Sequence, residues 1–100
     1  MSDQNGPRNS RLNEYESGTV SLSAYIEGKG DATVGVFPKG LDTTFSVTKK
    51  EVLILITGEA VINGNKIEPG SCLTFDPALG VAGFAIRCPT SDVIYASLYF

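Results

Sequence analysis

Residues 51–75 read Glu51-Val-Leu-Ile-Leu-Ile-Thr57-Gly58-Glu-Ala-Val-Ile62-Asn63-Gly64-Asn-Lys-Ile-Glu68-Pro69-Gly70-Ser-Cys-Leu-Thr-Phe75. An apolar run, Val52 to Ile56, ends at Thr57-Gly58. Asn63-Gly64 is the strongest hairpin signal in the chain, because a type I′ turn needs positive φ at both central residues. Pro69-Gly70 turns the chain again before Cys72 to Phe75. Strand, Gly, strand, Asn-Gly, strand, Pro-Gly, strand is the grammar of the middle of a small antiparallel barrel.

The flanks repeat that grammar. Thr19 to Ile26, Ala32 to Phe37 and Thr43 to Val47 have strand composition ahead of the central stretch, and Val20, Leu22, Ala24 and Ile26 share one face. A strand within Val81 to Cys88 and a last one from Val93 to Phe100 follow it. Gly35 lies inside a strand, which marks a bulge or a close backbone approach. No segment has the i, i+3, i+4 pattern of a helix. The expectation is an all-β, single-domain antiparallel β-barrel spanning 13–100, behind a flexible polar extension over 1–12.

Composition narrows the chemistry. The chain has 100 residues, a net charge of −3 and no histidine. Dispersed lysines give no basic stripe, so nucleic acid is not an expected partner. No apolar run reaches the ~20 residues of a membrane-spanning helix, and the N-terminus lacks a signal-peptide core; a cytoplasmic location and no membrane partner are expected. Without histidine, Ser-His-Asp and Cys-His sites are excluded. The commonest metal ligand goes too, so no metal and no cofactor are expected. Cys72 and Cys88 both sit in apolar strand contexts and read as small buried hydrophobes, with a disulfide or a reactive thiol as the alternatives. The run Val52–Ile56 is apolar on both faces, so both must be covered, one by the core and one by a subunit interface; a homodimer is expected.

The turn pattern resembles a cupin, a double-stranded β-helix. Thr57-Gly58-Glu59-Ala60 is similar to the Gly-containing strand pair of the first cupin motif, and Glu68-Pro69-Gly70-Ser71 to the step opening the second. The histidines of both motifs are missing, so the resemblance is to a metal-free cupin. An ordered set gives a narrower match: Asn13-Glu14-Tyr15, Thr33-Val34-Gly35-Val36, Pro38, Gly40, Phe45, the strand 51–58, Gly70-Ser71 and Tyr95-x-Ser97-x-Tyr99. This resembles the small pyrimidine/purine nucleoside phosphorylase family over residues 13–100. The resemblance implies phosphorolysis of purine and pyrimidine ribonucleosides, with nucleosides and inorganic phosphate as partners. The chain departs from that pattern at Leu41-Asp42 and in the longer, more apolar loop 76–83.

Phosphorolysis needs an anion site, stabilisation of positive charge at C1′, and a proton or hydrogen bond for the departing base. Without histidine, Asp, Glu and Tyr must supply the last two. Glu51 and Asp76 are the candidate catalytic carboxylates; the competing readings are a strand-end charge and an Asx cap. Arg87, taken as the only arginine inside the folded domain, is the candidate phosphate contact or a solvated strand end. Lys49-Lys50 reads as a solvated link. Phe45, Phe84, Tyr95 and Tyr99 are core aromatics or substrate-binding residues that stack on a base. Tyr15 reads as structural. A non-catalytic module binding a small ligand, and a structural dimer with a filled barrel, stay open as alternatives.

Overall fold

A computed structural model describes residues 10–28 and 30–100. Ten strands follow one another: β1 (Ser10–Glu14), β2 (Val20–Ile26), β3 (Gly30–Phe37), β4 (Asp42–Ser46), β5 (Glu51–Thr57), β6 (Ala60–Ile62), β7 (Asn65–Ile67), β8 (Cys72–Phe75), β9 (Gly83–Arg87) and β10 (Val93–Tyr99). The one helical turn among the described residues is a 3₁₀ turn at Pro77–Leu79. Six strands form one antiparallel sheet in the order β1-β2-β3-β10-β5-β8, and four form another in the order β4-β9-β6-β7. The all-β expectation holds. Hydrogen-bonded closure into a barrel does not occur among the described residues; the two sheets meet through side chains. Of the expected extension 1–12, residues 10–12 belong to β1 and pair with β2, and residues 1–9 lie outside the described residues.

The Asn-Gly signal is realised as read. Asn63 has φ 51° and Gly64 φ 82°, and Ile62 pairs with Asn65 across the hairpin. The Asn63 backbone N–H donates to the Ala85 carbonyl, and its Oδ1 accepts from the Ala85 N–H, both at 2.9 Å. The turn is thereby fastened to β9 rather than left free.

The core lies between the four-stranded sheet and one end of the larger one. It joins Phe37, Leu53, Leu55, Phe75 and Val93 from the large sheet to Ile62, Phe84 and Ile86 from the small one. No residue of β1 or β2 belongs to it. The exposed end of the sheet has an inverted pattern as a result. In β2, Ser21 and Ser23 are buried while Val20 and Leu22 are exposed. The shared apolar face of this strand is therefore its outer face, not a core face.

Direct partners across a sheet share a face, so the register defines both sides of it. On the inner side one row runs Arg11, Ser23, Thr33, Ser97, Leu53, Leu73, and another runs Tyr25, Asp31, Tyr99, Glu51, Phe75. Polar residues occupy the β1–β3 end, and apolar ones take over where the second sheet covers them. On the outer side the row Leu12, Leu22, Val34, Ala96, Ile54, Cys72 crosses all six strands. Cys72 is thus exposed at a sheet edge, against the expectation of burial, because its strand alternation puts it on the outer face. Cys88 is in the core, and burial pushes its thiol pKa up to about 11.

Candidate functional site

The uncovered inner end of the large sheet is a cleft in two halves. The first, of about 280 Å³, is walled by Tyr15, Phe37, Phe45, Phe84 and Tyr95, with Glu51 and Tyr99 on its floor. The second, of about 250 Å³, is polar and includes Arg11, Asn13, Asp31 and Lys49. Tyr15, Thr48 and Tyr99 line both halves, so one molecule, or two in contact, can occupy them. Joined, they reach the ~300 Å³ at which small-molecule sites begin.

The aromatic wall follows from two strands placed side by side. Phe45 of β4 pairs directly with Phe84 of β9, their rings 5.8 Å apart. Phe84 stacks on Phe75 at 4.6 Å, and Phe37 stacks on Tyr95 at 3.9 Å with an angle of 7°. Phe45 bridges to Phe37 at 5.7 Å and takes the edge of Tyr15 at 5.8 Å and 79°. Phe84 and Tyr95 are buried, whereas Phe45 is half-buried and Tyr15 is 47% exposed.

Glu51 starts the most apolar strand, yet it is 5% exposed. It is placed between Tyr99 and Phe75 by the register of β5 with its two neighbours. The Ser97 hydroxyl donates to Glu51 Oε2 at 2.8 Å. Burial pushes the carboxyl above its ordinary range, while the Ser97 and Tyr99 hydroxyls pull it the other way. The burial cost is the larger effect: a carboxylate loses its hydration on leaving water, and few donors replace it. Burial likewise raises the Tyr99 phenol to about 12, with the neighbouring Glu51 adding to it, and raises Tyr95 further still. All three therefore favour their protonated forms relative to free side chains.

In the polar half one amide ties buried hydroxyls together. Asn13 Nδ2 donates to Ser21 Oγ at 3.1 Å and to Ser23 Oγ at 2.9 Å, and Ser23 and Thr33 share a hydrogen bond of 2.7 Å. Lys49 Nζ lies 3.8 Å from Asp31, a solvent-facing pair of the kind that adds little stability.

Five of the seven residues singled out from sequence come together: Glu51, Phe45, Phe84, Tyr95 and Tyr99 all line the first half. Asp76 does not. Its carboxylate accepts from the Ala78 N–H at 3.0 Å and caps the 3₁₀ turn at Pro77–Leu79, so the competing Asx reading describes it. Nor does Arg87 line either half; it is exposed at the end of β9, paired with Asp42 and Val61. It is also not the only arginine in the fold, because Arg11 is in β1. Tyr15, Phe37, Thr48, Asn13, Arg11 and Lys49 were not picked out as site residues by patterning. The sequence signal for the polar group is the Ser21-x-Ser23 alternation opposite Thr33, hydroxyls at every second position of paired strands. Among the described residues no three His, Cys, Asp or Glu side chains cluster as a metal ion needs.

No protein-family model matches the chain. A pyrimidine/purine nucleoside phosphorylase of Pseudomonas syringae pv. syringae is 37% identical over 49 residues, 49% of this chain and 52% of that protein. One of the same name from Pseudomonas syringae pv. tomato matches equally, 37% over 49 residues. The match spans about half the length of these curated relatives. Among solved structures, a protein of unknown function from Vibrio parahaemolyticus superposes with a TM-score of 0.78 at 22% identity, over 93% of this chain and 100% of that one. A DUF1255 protein of unknown function from Acinetobacter sp. ADP1 gives 0.73 at 20% identity, over 90% of each chain. An RmlC-like cupin from Shewanella frigidimarina gives 0.69 at 15% identity, over 90% and 83%. The chain is thus similar to pyrimidine/purine nucleoside phosphorylases in half of its sequence, and cupin-like in fold across nine-tenths of its length.

Proposed function

We propose that this protein is a nucleoside phosphorylase, transferring the ribosyl group of purine and pyrimidine ribonucleosides to inorganic phosphate. The observation that carries the reading is Glu51: a buried carboxyl, held by Ser97, on the floor of an aromatic cleft. The chemistry maps onto the two halves. The base stacks against Phe45 and Tyr15, a contact tolerant of base identity because every base has a π face. A phosphate oxygen bonds to C1′ as the C1′–N bond breaks, and the electron pair leaves with the base. Glu51, whose burial favours its protonated form, donates the proton that the departing nitrogen takes up, and the phosphate's own proton restores it. The products are ribose 1-phosphate and free base.

The test is incubation of the full chain with phosphate and a panel of uridine, adenosine, guanosine and inosine. Phosphate-dependent release of base is expected. Release without phosphate, or none at all while nucleosides bind, sinks the enzyme reading and leaves a ligand-binding module.

The partner of the outer face is, on this reading, a second copy. The row of apolar residues from Leu12 to Cys72 is flanked by two others, Val20, Val36, Ile94 and Ala24, Ala32, Leu98, Val52. Six strands and three rows outline roughly 600 Å² at ordinary strand spacing, at the upper end of a monomer's usual largest patch and approaching the ~800 Å² per partner of a stable interface. The only charged residue in register with these rows is Glu14, at a corner. A two-fold interface lays a face on itself, so a face nearly free of charge is self-compatible. Sedimentation is expected to give a dimer. Leu22→Lys combined with Val34→Lys brings like charges together across the axis, and a folded monomer is the expected product. A monomeric parent at tens of micromolar would end the dimer proposal.

A further inference from the structure

We propose that the polar half of the cleft is the phosphate site, and that Arg11 and Lys49 are its cationic ligands. The proposal rests on the phosphorolysis reading and locates the second substrate within it. Six lysine and arginine residues lie among the described residues, and position decides between them. Lys66 is 3.6 Å from Glu59 on the small sheet, Lys50 sits over the Phe100 ring, and Lys39 and Arg87 are exposed away from the cleft. Arg11 and Lys49 alone line the cavity that shares Tyr15, Thr48 and Tyr99 with the Glu51 half.

The register explains why Arg11 serves this site. Arg11 pairs with Ser23, Ser23 with Thr33 and Thr33 with Ser97, so the guanidinium stands on the same face as a row of hydroxyls ending at the residue that holds Glu51. A guanidinium binds a phosphate through two parallel N–H bonds, and an ammonium adds a point charge. Lys49 comes from the loop just before β5 and faces Asp31 at 3.8 Å. That exposed pair is weak enough for a phosphate dianion to take Lys49 over. Asp31 then becomes a repulsive neighbour of the anion. A phosphate so placed adjoins the aromatic half across Tyr99, the side from which it must reach C1′ of a nucleoside stacked on Phe45.

The test has a binding arm and a turnover arm. Inorganic phosphate is titrated calorimetrically into the full chain, Arg11→Ala, Lys49→Ala, Asp31→Asn and Arg87→Ala. Uridine cleavage is then measured with phosphate varied. Arg11→Ala and Lys49→Ala are expected to raise the phosphate Kd and KM by about tenfold or more, the loss of a charge-assisted contact, with the KM for uridine unchanged. Asp31→Asn is expected to lower both phosphate constants, and Arg87→Ala to move neither. Unchanged phosphate constants in the Arg11 and Lys49 variants overturn the assignment while base release keeps the phosphorylase reading. A rise confined to Arg87→Ala, or to the uridine KM of Asp31→Asn, overturns it as well. Phosphate binding that is lost in the Arg11 and Lys49 variants of a protein releasing no base upholds the anion site and removes the enzyme.

Discussion

Replacing Glu51 by Gln is expected to lower the rate of base release by ~10²–10⁴-fold, the usual worth of a positioned proton donor, without unfolding the protein. The amide keeps an oxygen where Ser97 Oγ now donates at 2.8 Å, so the packing below the cleft survives. The variant cannot donate an acidic proton, and the departing base must leave as an anion. The sign of the stability change follows from the raised carboxyl. The folded state holds the proton more tightly than the unfolded chain. The associated stabilisation is complete below the ordinary glutamate range and disappears as pH rises through the folded value. Wild type should therefore lose thermal stability relative to Glu51→Gln as pH is raised from 4 to 8. The basic limb of the wild-type kcat profile that reports this acid should be absent from the variant. Undiminished turnover in Glu51→Gln would remove Glu51 from the chemistry, whatever the melting curves show.

Gly35→Ala is expected to destabilise the fold by about 1–3 kcal/mol, as overpacking generally does. A methyl at Gly35 would lie 2.7 Å from the Ser21 Cβ, from the Tyr95 hydroxyl and from the Val20 carbonyl oxygen. Its φ is not in the left-handed region, so no backbone strain enters, and alanine should otherwise gain slightly through the unfolded chain. The cost is steric. Two of its three neighbours are in strand β2, which pairs with β3 here, and the third is the tip of Tyr95, stacked on Phe37 in the cleft wall. A melting temperature lower by roughly 4–8 °C per kcal/mol is expected for a domain of this size, with a fall in activity as Tyr95 is displaced. An unchanged melting temperature would mean that the strands separate freely, contrary to the tight approach described.

Most of the fold was legible residue by residue, because turns are local events. Asn63-Gly64 and the apolar run of β5 announce a hairpin and a central strand from backbone preference and burial alone. Gly35 likewise announced a close approach, and it has one. The site was legible where a residue's strand lies under the second sheet. Glu51, Phe45, Phe84, Tyr95 and Tyr99 are spaced as inward residues and do point inward. Asp76 and Arg87 are chain-adjacent to such residues, and proximity in sequence did not carry them into the cleft: one caps a turn and the other ends an inner strand of the small sheet.

Period-two alternation by itself determined that β2 has two unlike faces, with Ser21 and Ser23 on one and Val20, Leu22, Ala24 and Ile26 on the other. It did not determine which face turns inward, since alternation is symmetric about the plane of the sheet. Tertiary structure decided that. The four-stranded sheet covers only the β3-β10-β5-β8 end, so at the β1–β2 end the inner face is left as the wall of an open cleft. There Asn13 bonds the buried Ser21 and Ser23, Ser23 bonds Thr33, and Val20, Leu22 and Val34 are left outside. The stretch 51–75 contains the carboxyl on which the proposed chemistry depends, but Arg11 and Asn13 reach the same cleft only because distant strands are laid side by side.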